Sequence, residues 1–204
     1  MEIFTLVTGV MYIILEIQQK RLMWVVGVLT SLAAMWVFFR QGLYASFGLN
    51  TYYLVTAFAG LWQWGRDRRK LETGSDKGDA DGVIHLNRMT VGTLAASAMA
   101  VVAGTVALAW LMERLENPMS YLDASVAVLS AVATWWLVRS YISQWCLWSV
   151  ADALSSILCA AQGMWWMALL YLVYTMSCVY GYRHWKAHGV YLSDADDSGQ
   201  VSDK

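Results

Sequence analysis

Around Asp152 the sequence places side chains that can do chemistry together. Trp145, Trp148, Asp152, Ser155/Ser156 and Cys159 fall at i, i+3, i+7, i+10/11 and i+14, the spacing of one helical stripe. At a rise of about 1.5 Å per residue, Asp152 lies about 10 Å beyond Trp145. That is near the middle of a hydrocarbon core about 30 Å thick. An acid at such a depth costs roughly 2.5–3.5 kcal/mol on insertion scales, so it must face a cavity or a partner. The chemistry it offers is capture of a cationic ligand beside aromatic faces, each cation–π contact adding about 0.5–2 kcal/mol. The alternative is a structural acid that ties two helices together by hydrogen bonds.

Other polar residues share this character. Asn50, Tyr53, Ala57, Gly60 and Trp64 lie on one face of a helix, and Tyr171, Tyr174, Cys178, Gly181 and Trp185 on one face of another. The tyrosines serve ligand contact or packing. Thr30 and Ser31 either face inward or bond their own helix backbone. Signatures of enzymes are missing: no Walker A loop, no HExxH, no GxSxG. His85, His184 and His188 lack ligand spacing. Asp79-x-Asp81-Gly82 resembles a calcium loop only until Lys77 and Arg88 are seen at its first and twelfth ligand positions. Cys146, Cys159 and Cys178 have no CxxC spacing and read as small core residues. No metal site, cofactor or catalytic residue is expected. Nucleic-acid binding has no basic groove to rest on.

The elements that position these residues follow from composition. Of 204 residues, 58% are hydrophobic and 14% charged, too few charges for a water-facing surface. No charge occurs between Leu22 and Phe39, Gln41 and Gly65, Met89 and Met112, or Ala153 and Tyr182. The last run holds 30 residues, with Gln162-Gly163 near its middle, and reads as two spans. The expectation is an all-α polytopic membrane protein with seven helices at about 2–17, 22–39, 46–64, 89–112, 121–138, 145–161 and 164–182. The N-terminus lacks a basic n-region and a cleavage site, and reads as a first span. Most tryptophans near span ends form an aromatic belt, and Glu16 reads as an interfacial residue beside Lys20 and Arg21. Eleven Lys and Arg, from Lys20 to Lys186, flank one side and only Arg40 and Arg114 the other. The positive-inside rule then puts the N-terminus outside and the C-terminus in the cytoplasm. Residues 66–88 read as a flexible cytoplasmic linker and 187–204 as a cytoplasmic tail, acidic and disordered from Asp194 on.

Shifting the chain against itself by 121 positions superposes Trp24 on Trp145, Gln41 on Gln162, Gly42 on Gly163, Tyr53 on Tyr174, Gly60 on Gly181 and Trp64 on Trp185. Chance between two Trp-rich segments is one reading. The other is a duplication: residues 1–65 and 121–186 as three-helix repeats joined by a connecting helix at 89–112. The extra helix restores direction, so the repeats are parallel, the plan of many transporters. A scaffold subunit and a membrane enzyme working through Asp152 are the remaining function classes.

Several motifs bring a family to mind: Leu15-Glu16-Ile17-Gln18-Gln19 with Trp24-x-x-Gly27; Gly42-Leu43-Tyr44-Ala45 with Gly48-Leu49-Asn50-x-Tyr52-Tyr53; Tyr121-Leu122-Asp123-Ala124; Trp145-x-x-Trp148-x-x-x-Asp152; and Tyr171-x-x-Tyr174 leading to Gly181-Tyr182-x-x-Trp185. In this order the chain resembles the PnuC family of bacterial nicotinamide riboside transporters over nearly its full length. The resemblance implies a 3+1+3 fold of SWEET-like plan, inner-membrane localisation, vitamin uptake without ATP, and a homotrimer. Taken with the stripes above, the expected substrate site is made by Trp148, Asp152, Asn50, Tyr53, Tyr171, Tyr174, Thr30 and Ser156. Riboside transporters typically carry Gln at the place of Asn50, Asn at that of Asp152, and often Asn near Thr30. The expected cargo is nicotinamide riboside, with thiamine, another fixed aromatic cation, as the alternative.

Overall fold

The computed structural model describes residues 11–41, 44–74, 84–114 and 121–192. Seven helices follow one another: α1 (described over 11–17), α2 (Leu22–Arg40), α3 (Tyr44–Gly74), α4 (Val91–Arg114), α5 (Tyr121–Val138), α6 (Gln144–Ala161) and α7 (Trp165–His188). Two three-residue strands, β1 (Ile84–Leu86) and β2 (Gly189–Tyr191), pair in parallel with His85 opposite Val190. The expected span at 2–17 is seen as helix over 11–17, its first nine residues lying outside the described part.

Long apolar stretches without proline form these helices, because a helix satisfies every backbone group internally where lipid cannot. Among the described residues α2, α4 and α5 are each long and apolar enough to cross a membrane. They turn apolar side chains outward: Leu29 and Trp36 on α2, Met99 and Val102 on α4, the last 68% exposed. In water such surface would aggregate; against lipid tails it is what a span requires. The helices α3, α6 and α7 interleave Asn50, Asp152 and tyrosines with their apolar residues.

The break at Gln162-Gly163 is a Schellman turn. Met164 donates its N–H to Cys159 O (2.8 Å), Gly163 donates to Ala160 O (3.0 Å), and Gly163 takes φ +76°. The same turn ends α1 and α5 without glycine. Lys20 donates to Leu15 O (2.9 Å) around Gln19 at φ +49°, and Tyr141 to Trp136 O (3.0 Å) around Ser140 at φ +55°.

The chain divides into two compact units, Met1–Asn87 with Val138–Ser140 and His188–Lys204, and Arg88–Leu137 with Tyr141–Ala187. In the first, α2 packs on α3. Trp24 meets Trp64 edge to face (5.2 Å, 80°), and lies so close over Gly60 that a Cβ there would collide with its indole. In the second, Trp145 meets Trp185 in the same way (5.4 Å, 88°) and a Cβ on Gly181 would come 2.6 Å from the Trp145 ring. There too, Trp136 donates its indole N–H to Ser97 of α4 (3.0 Å).

Two expectations need revision. The segment 66–88 is not linker throughout: α3 continues through Gly74 and β1 closes the stretch. Arg, Lys, Leu and Glu are good helix formers, so charge ends the apolar run without ending the helix. The tail expected from residue 187 begins with helix and then β2, which gives β1 a partner. Residues 75–83, with the calcium-like Asp79-x-Asp81-Gly82, and 193–204 lie outside the described residues.

Candidate functional site

In the second unit α6 and α7 build the environment of Asp152. The Asp152 side chain is 7% exposed. Among the described residues its carboxylate accepts one hydrogen bond, from the Cys178 thiol of α7, Sγ to Oδ2 at 3.8 Å. An ionised carboxylate has about four acceptor sites, and a thiol is a weak donor. Burial with one weak donor leaves most of the desolvation cost of the carboxylate uncompensated.

Aromatic groups stand nearby. Tyr171 and Tyr174, one helical turn apart on α7, meet edge to face (6.1 Å, 89°). Trp148 follows the same stripe of α6, one turn before Asp152. Its indole N–H is buried without a hydrogen-bond partner among the described residues. The unit therefore holds an under-satisfied carboxyl group, a spare N–H donor and a tyrosine pair. That combination can bind a flat cation carrying hydroxyl or amine groups.

The remaining candidates have other commitments. Ser156 donates to Ala168 O of α7 (2.9 Å), which spends its hydroxyl on joining the two helices. Ser155 donates back to Ala151 O (2.8 Å). In the first unit Thr30 is exposed and bonds Val26 O (2.9 Å) and Gly27 O (3.1 Å) of its own helix. Tyr53 meets Tyr52 edge to face (5.7 Å, 60°), and Asn50 is half-buried and engaged. Thus Trp148, Asp152, Ser156, Tyr171 and Tyr174 fall in one unit; Thr30, Asn50 and Tyr53 fall in the other. Cys178 was legible only as a small residue on the α7 face; nothing in the sequence marked it as the donor to Asp152.

A second buried polar centre, in the first unit, had no signal in the sequence. His85 on β1, 4% exposed, sets its ring edge to face against Trp64 (5.7 Å, 88°). Its Nε2 lies 4.0 Å from Asp67 Oδ2. Gln63 donates to both Asp67 oxygens (3.1 and 3.0 Å), one helical turn earlier on α3. Burial lowers the His85 pKa to about 4, outweighing the pull of Asp67, and Arg68 lowers it further.

Comparison with known proteins places this architecture. Residues 1–187 match the sequence family described as Nicotinamide mononucleotide transporter. The nicotinamide riboside transporter PnuC of Escherichia coli K12 is 25% identical over 170 residues, covering 73% of this chain and 69% of its own length. That of Neisseria mucosa is 26% identical over 189 residues, with 88% and 69% covered. The riboflavin/roseoflavin transporter RibM of Streptomyces davaonensis is 26% identical over 181 residues, with 88% and 81% covered. A crystal structure of the vitamin B3 transporter PnuC superposes with a TM-score of 0.65 at 26% identity, covering 90% of this chain and 81% of that one. A family match over nearly the whole chain, carried by an all-helical fold with apolar outer faces, makes this protein a member of the PnuC family of membrane transporters.

Proposed function

We propose that the protein is an inner-membrane facilitator for uptake of nicotinamide riboside, and that Asp152 with Trp148, Tyr171 and Tyr174 receives the pyridinium cation. The observation that carries this reading is the buried Asp152 carboxylate with one weak thiol donor. A fixed positive charge supplies what the carboxylate lacks, in a setting where a charge-assisted contact is worth roughly 1.5–3 kcal/mol. The named cargoes of the relatives are separated by the same charge. A mononucleotide brings a phosphate that Asp152 repels, and riboflavin brings no fixed cation for it to hold. Thiamine keeps the cation and stands as the second reading, favoured by Asp152 where riboside transporters typically carry Asn.

The 3+1+3 plan of parallel repeats belongs to the same proposal. Support comes from the indole pairs over Gly60 and Gly181 and from backbone bonds that recur at the 121-residue offset. Met23 N–H to Lys20 O (3.0 Å) has its match in Gln144 to Tyr141 (3.1 Å), and Gln41 to Val37 (3.1 Å) in Gln162 to Leu158 (3.1 Å). The basic loops put the C-terminus in the cytoplasm and the N-terminus outside. A cysteine at Ser75 then resists impermeant thiol reagents in whole cells; ready labelling from outside reverses the topology. Asn50, Tyr53 and Thr30 are placed among the ligand-contacting residues and Ser156 is not, its hydroxyl being spent on Ala168 O; the assembly is a homo-oligomer, a trimer on the family resemblance.

The test of function uses purified protein in sealed liposomes without ATP. Labelled nicotinamide riboside equilibrates across the membrane and is recovered chemically unchanged. Flux of thiamine alone selects the second reading. Conversion of the compound means an enzyme, and no flux of either from folded protein means a scaffold or another cargo.

A further inference from the structure

Gln19 belongs to the Leu15–Gln19 motif, and the substrate reading leaves it without a role. Its backbone takes φ +49° at the residue of a Schellman turn where glycine is usual. Ser140 does the same at φ +55°. A side chain in the left-handed region is strained, so two such residues at turns of the same kind call for a compensating contact. The two side chains supply it together. Gln19 Nε2 donates to Ser140 Oγ (3.3 Å) and to His85 O (2.9 Å), while Gln19 Oε1 accepts the His85 N–H (2.8 Å). The amide thus pairs with both backbone groups of His85, as a neighbouring strand would, on a residue of β1 whose strand partner is β2.

Two residues beyond His85 the knot continues. Asn87 donates its backbone N–H to Ser140 O (3.2 Å) and its side-chain amide to Arg139 O (2.9 Å). His85, packed on Trp64, joins the knot to α3. One buried amide therefore joins three stretches remote in sequence, the α1–α2 turn, β1 and the turn after α5, while β2 is joined through its pairing with β1. Gln19 and Ser140 are also 121 residues apart, so each is the other's mate under the repeat. Gln19, His85 and Ser140 are all buried, and burial keeps the His85 pKa low, near 4.

We propose that this knot is a fixed brace: it stays closed throughout transport while the substrate-carrying spans rearrange, and Gln19 is its positioning residue. The brace rests on the transporter reading for its purpose, and its closure can be tested apart from that reading.

Hydrogen exchange on the full-length protein in nanodiscs follows the His85 and Asn87 amides. Both should exchange at rates within about twofold with and without saturating nicotinamide riboside. Acceleration of tenfold or more on adding it would make the knot an opening gate and overturn the brace. Gln19→Ala should accelerate both amides at least tenfold, including that of Asn87, which Gln19 does not touch; an effect confined to His85 also overturns the proposal. In liposomes Gln19→Ala should lower flux at least tenfold with Kd by calorimetry within about twofold of wild type, a split that general unfolding does not give. Unchanged flux counts against it. Should Gln19→Ala fail to fold, Ser140→Ala, which removes one contact, should still cut flux two- to threefold at constant Kd, and full flux there is again contrary. Absence of flux in the wild type removes the cargo reading alone; the two-amide result then decides the brace.

Discussion

The corner made by Trp24, Gly60 and Trp64 and the corner made by Trp145, Gly181 and Trp185 share one geometry, while the helices that bear them carry different chemistry. In each, an indole lies over a glycine and meets a second indole edge to face, at 5.2 and 5.4 Å. Three positions between these tryptophans diverge at the same offset. Where α6 and α7 hold Trp148, Asp152 and Cys178, α2 and α3 hold Gly27, Ser31 and Ala57. A Cβ on Gly27 would sit 3.6 Å from that of Ala57, so α2 and α3 close upon each other there, and Ser31 is buried. The indole corner occurs in both units; the Asp152 carboxyl, the Trp148 ring and the Cys178 thiol occur in one. Packing that needs glycine under an indole tolerates little change, whereas a ligand with one charge needs only one carboxylate.

Loss of either glycine should have the largest effect. A methyl group at Gly60 or Gly181 drives into a fully buried indole, which has no flexible end to withdraw. Overpacking of this kind costs about 3 kcal/mol, the upper part of its usual range. Gly60→Ala and Gly181→Ala should lower thermal stability in detergent by similar amounts. A large loss for one and none for the other would break the equivalence of the two corners.

Asp152→Asn probes the difference. Affinity for nicotinamide riboside should fall about tenfold to a hundredfold, since each 1.4 kcal/mol is a factor of ten. A neutral analogue with a reduced pyridine ring should bind weakly to wild type and lose little more in the variant. Ser31→Asn, at the matching place in α2, should leave affinity within about twofold. Unchanged affinity in a stable Asp152→Asn protein would sink the cation site, and gain of riboside binding with loss of thiamine would make Asp152 the selector between the two.

How much of this was legible depends on how far each feature reaches through the chain. Hydropathy marked the apolar helices, and the Gln162-Gly163 dipeptide marked the break between α6 and α7, because both are local. Rare residue types exposed the two corners, since Trp and Gly at fixed offsets stand out from an apolar background. The extension of α3 to Gly74 was hidden because hydropathy reports the lipid boundary, not the end of the hydrogen-bonded helix. Pairing of β1 with β2 joins residues more than a hundred positions apart, and three residues are too few to show an alternation. Gln19 was visible as part of a motif, but that its amide would mimic a strand depends on where His85 and Ser140 come to lie. At the site, the types at 148, 152, 171 and 174 were readable; the commitment of the Ser156 hydroxyl to Ala168 was not.

The first corner has a third ring, His85, and this should make its stability depend on acid. Burial holds the folded-state imidazole near pH 4, below its ordinary 6.5. Between those values the unfolded chain binds more protons than the folded one, so stability is complete above pH 6.5 and falls as pH drops toward 4. By linkage the loss reaches about 2 kcal/mol at pH 5. His85→Leu keeps the backbone groups that Gln19 uses and should flatten that part of the profile in denaturant unfolding. A slope unchanged in His85→Leu would assign the acid sensitivity to other groups.

The smallest effect separates hydroxyls that hold helices from groups that meet the ligand. Ser156 Oγ donates to Ala168 O across the α6–α7 contact, so Ser156→Ala leaves a partly buried carbonyl without that donor. A neutral hydrogen bond of this type contributes about 1 kcal/mol, and stability should fall by that amount. Affinity should stay within about twofold, because the hydroxyl already has its acceptor and the Asp152 carboxylate is untouched. Trp148→Phe should show the reverse pattern. It keeps a ring face but gives up the unpartnered N–H and the stronger indole quadrupole, lowering affinity about threefold with little change in stability. Calorimetric Kd beside thermal unfolding of the two variants reads both quantities. If Ser156→Ala weakened binding as much as Trp148→Phe, the serine would have to release Ala168 to reach the ligand, and the contact between α6 and α7 would itself change when substrate binds.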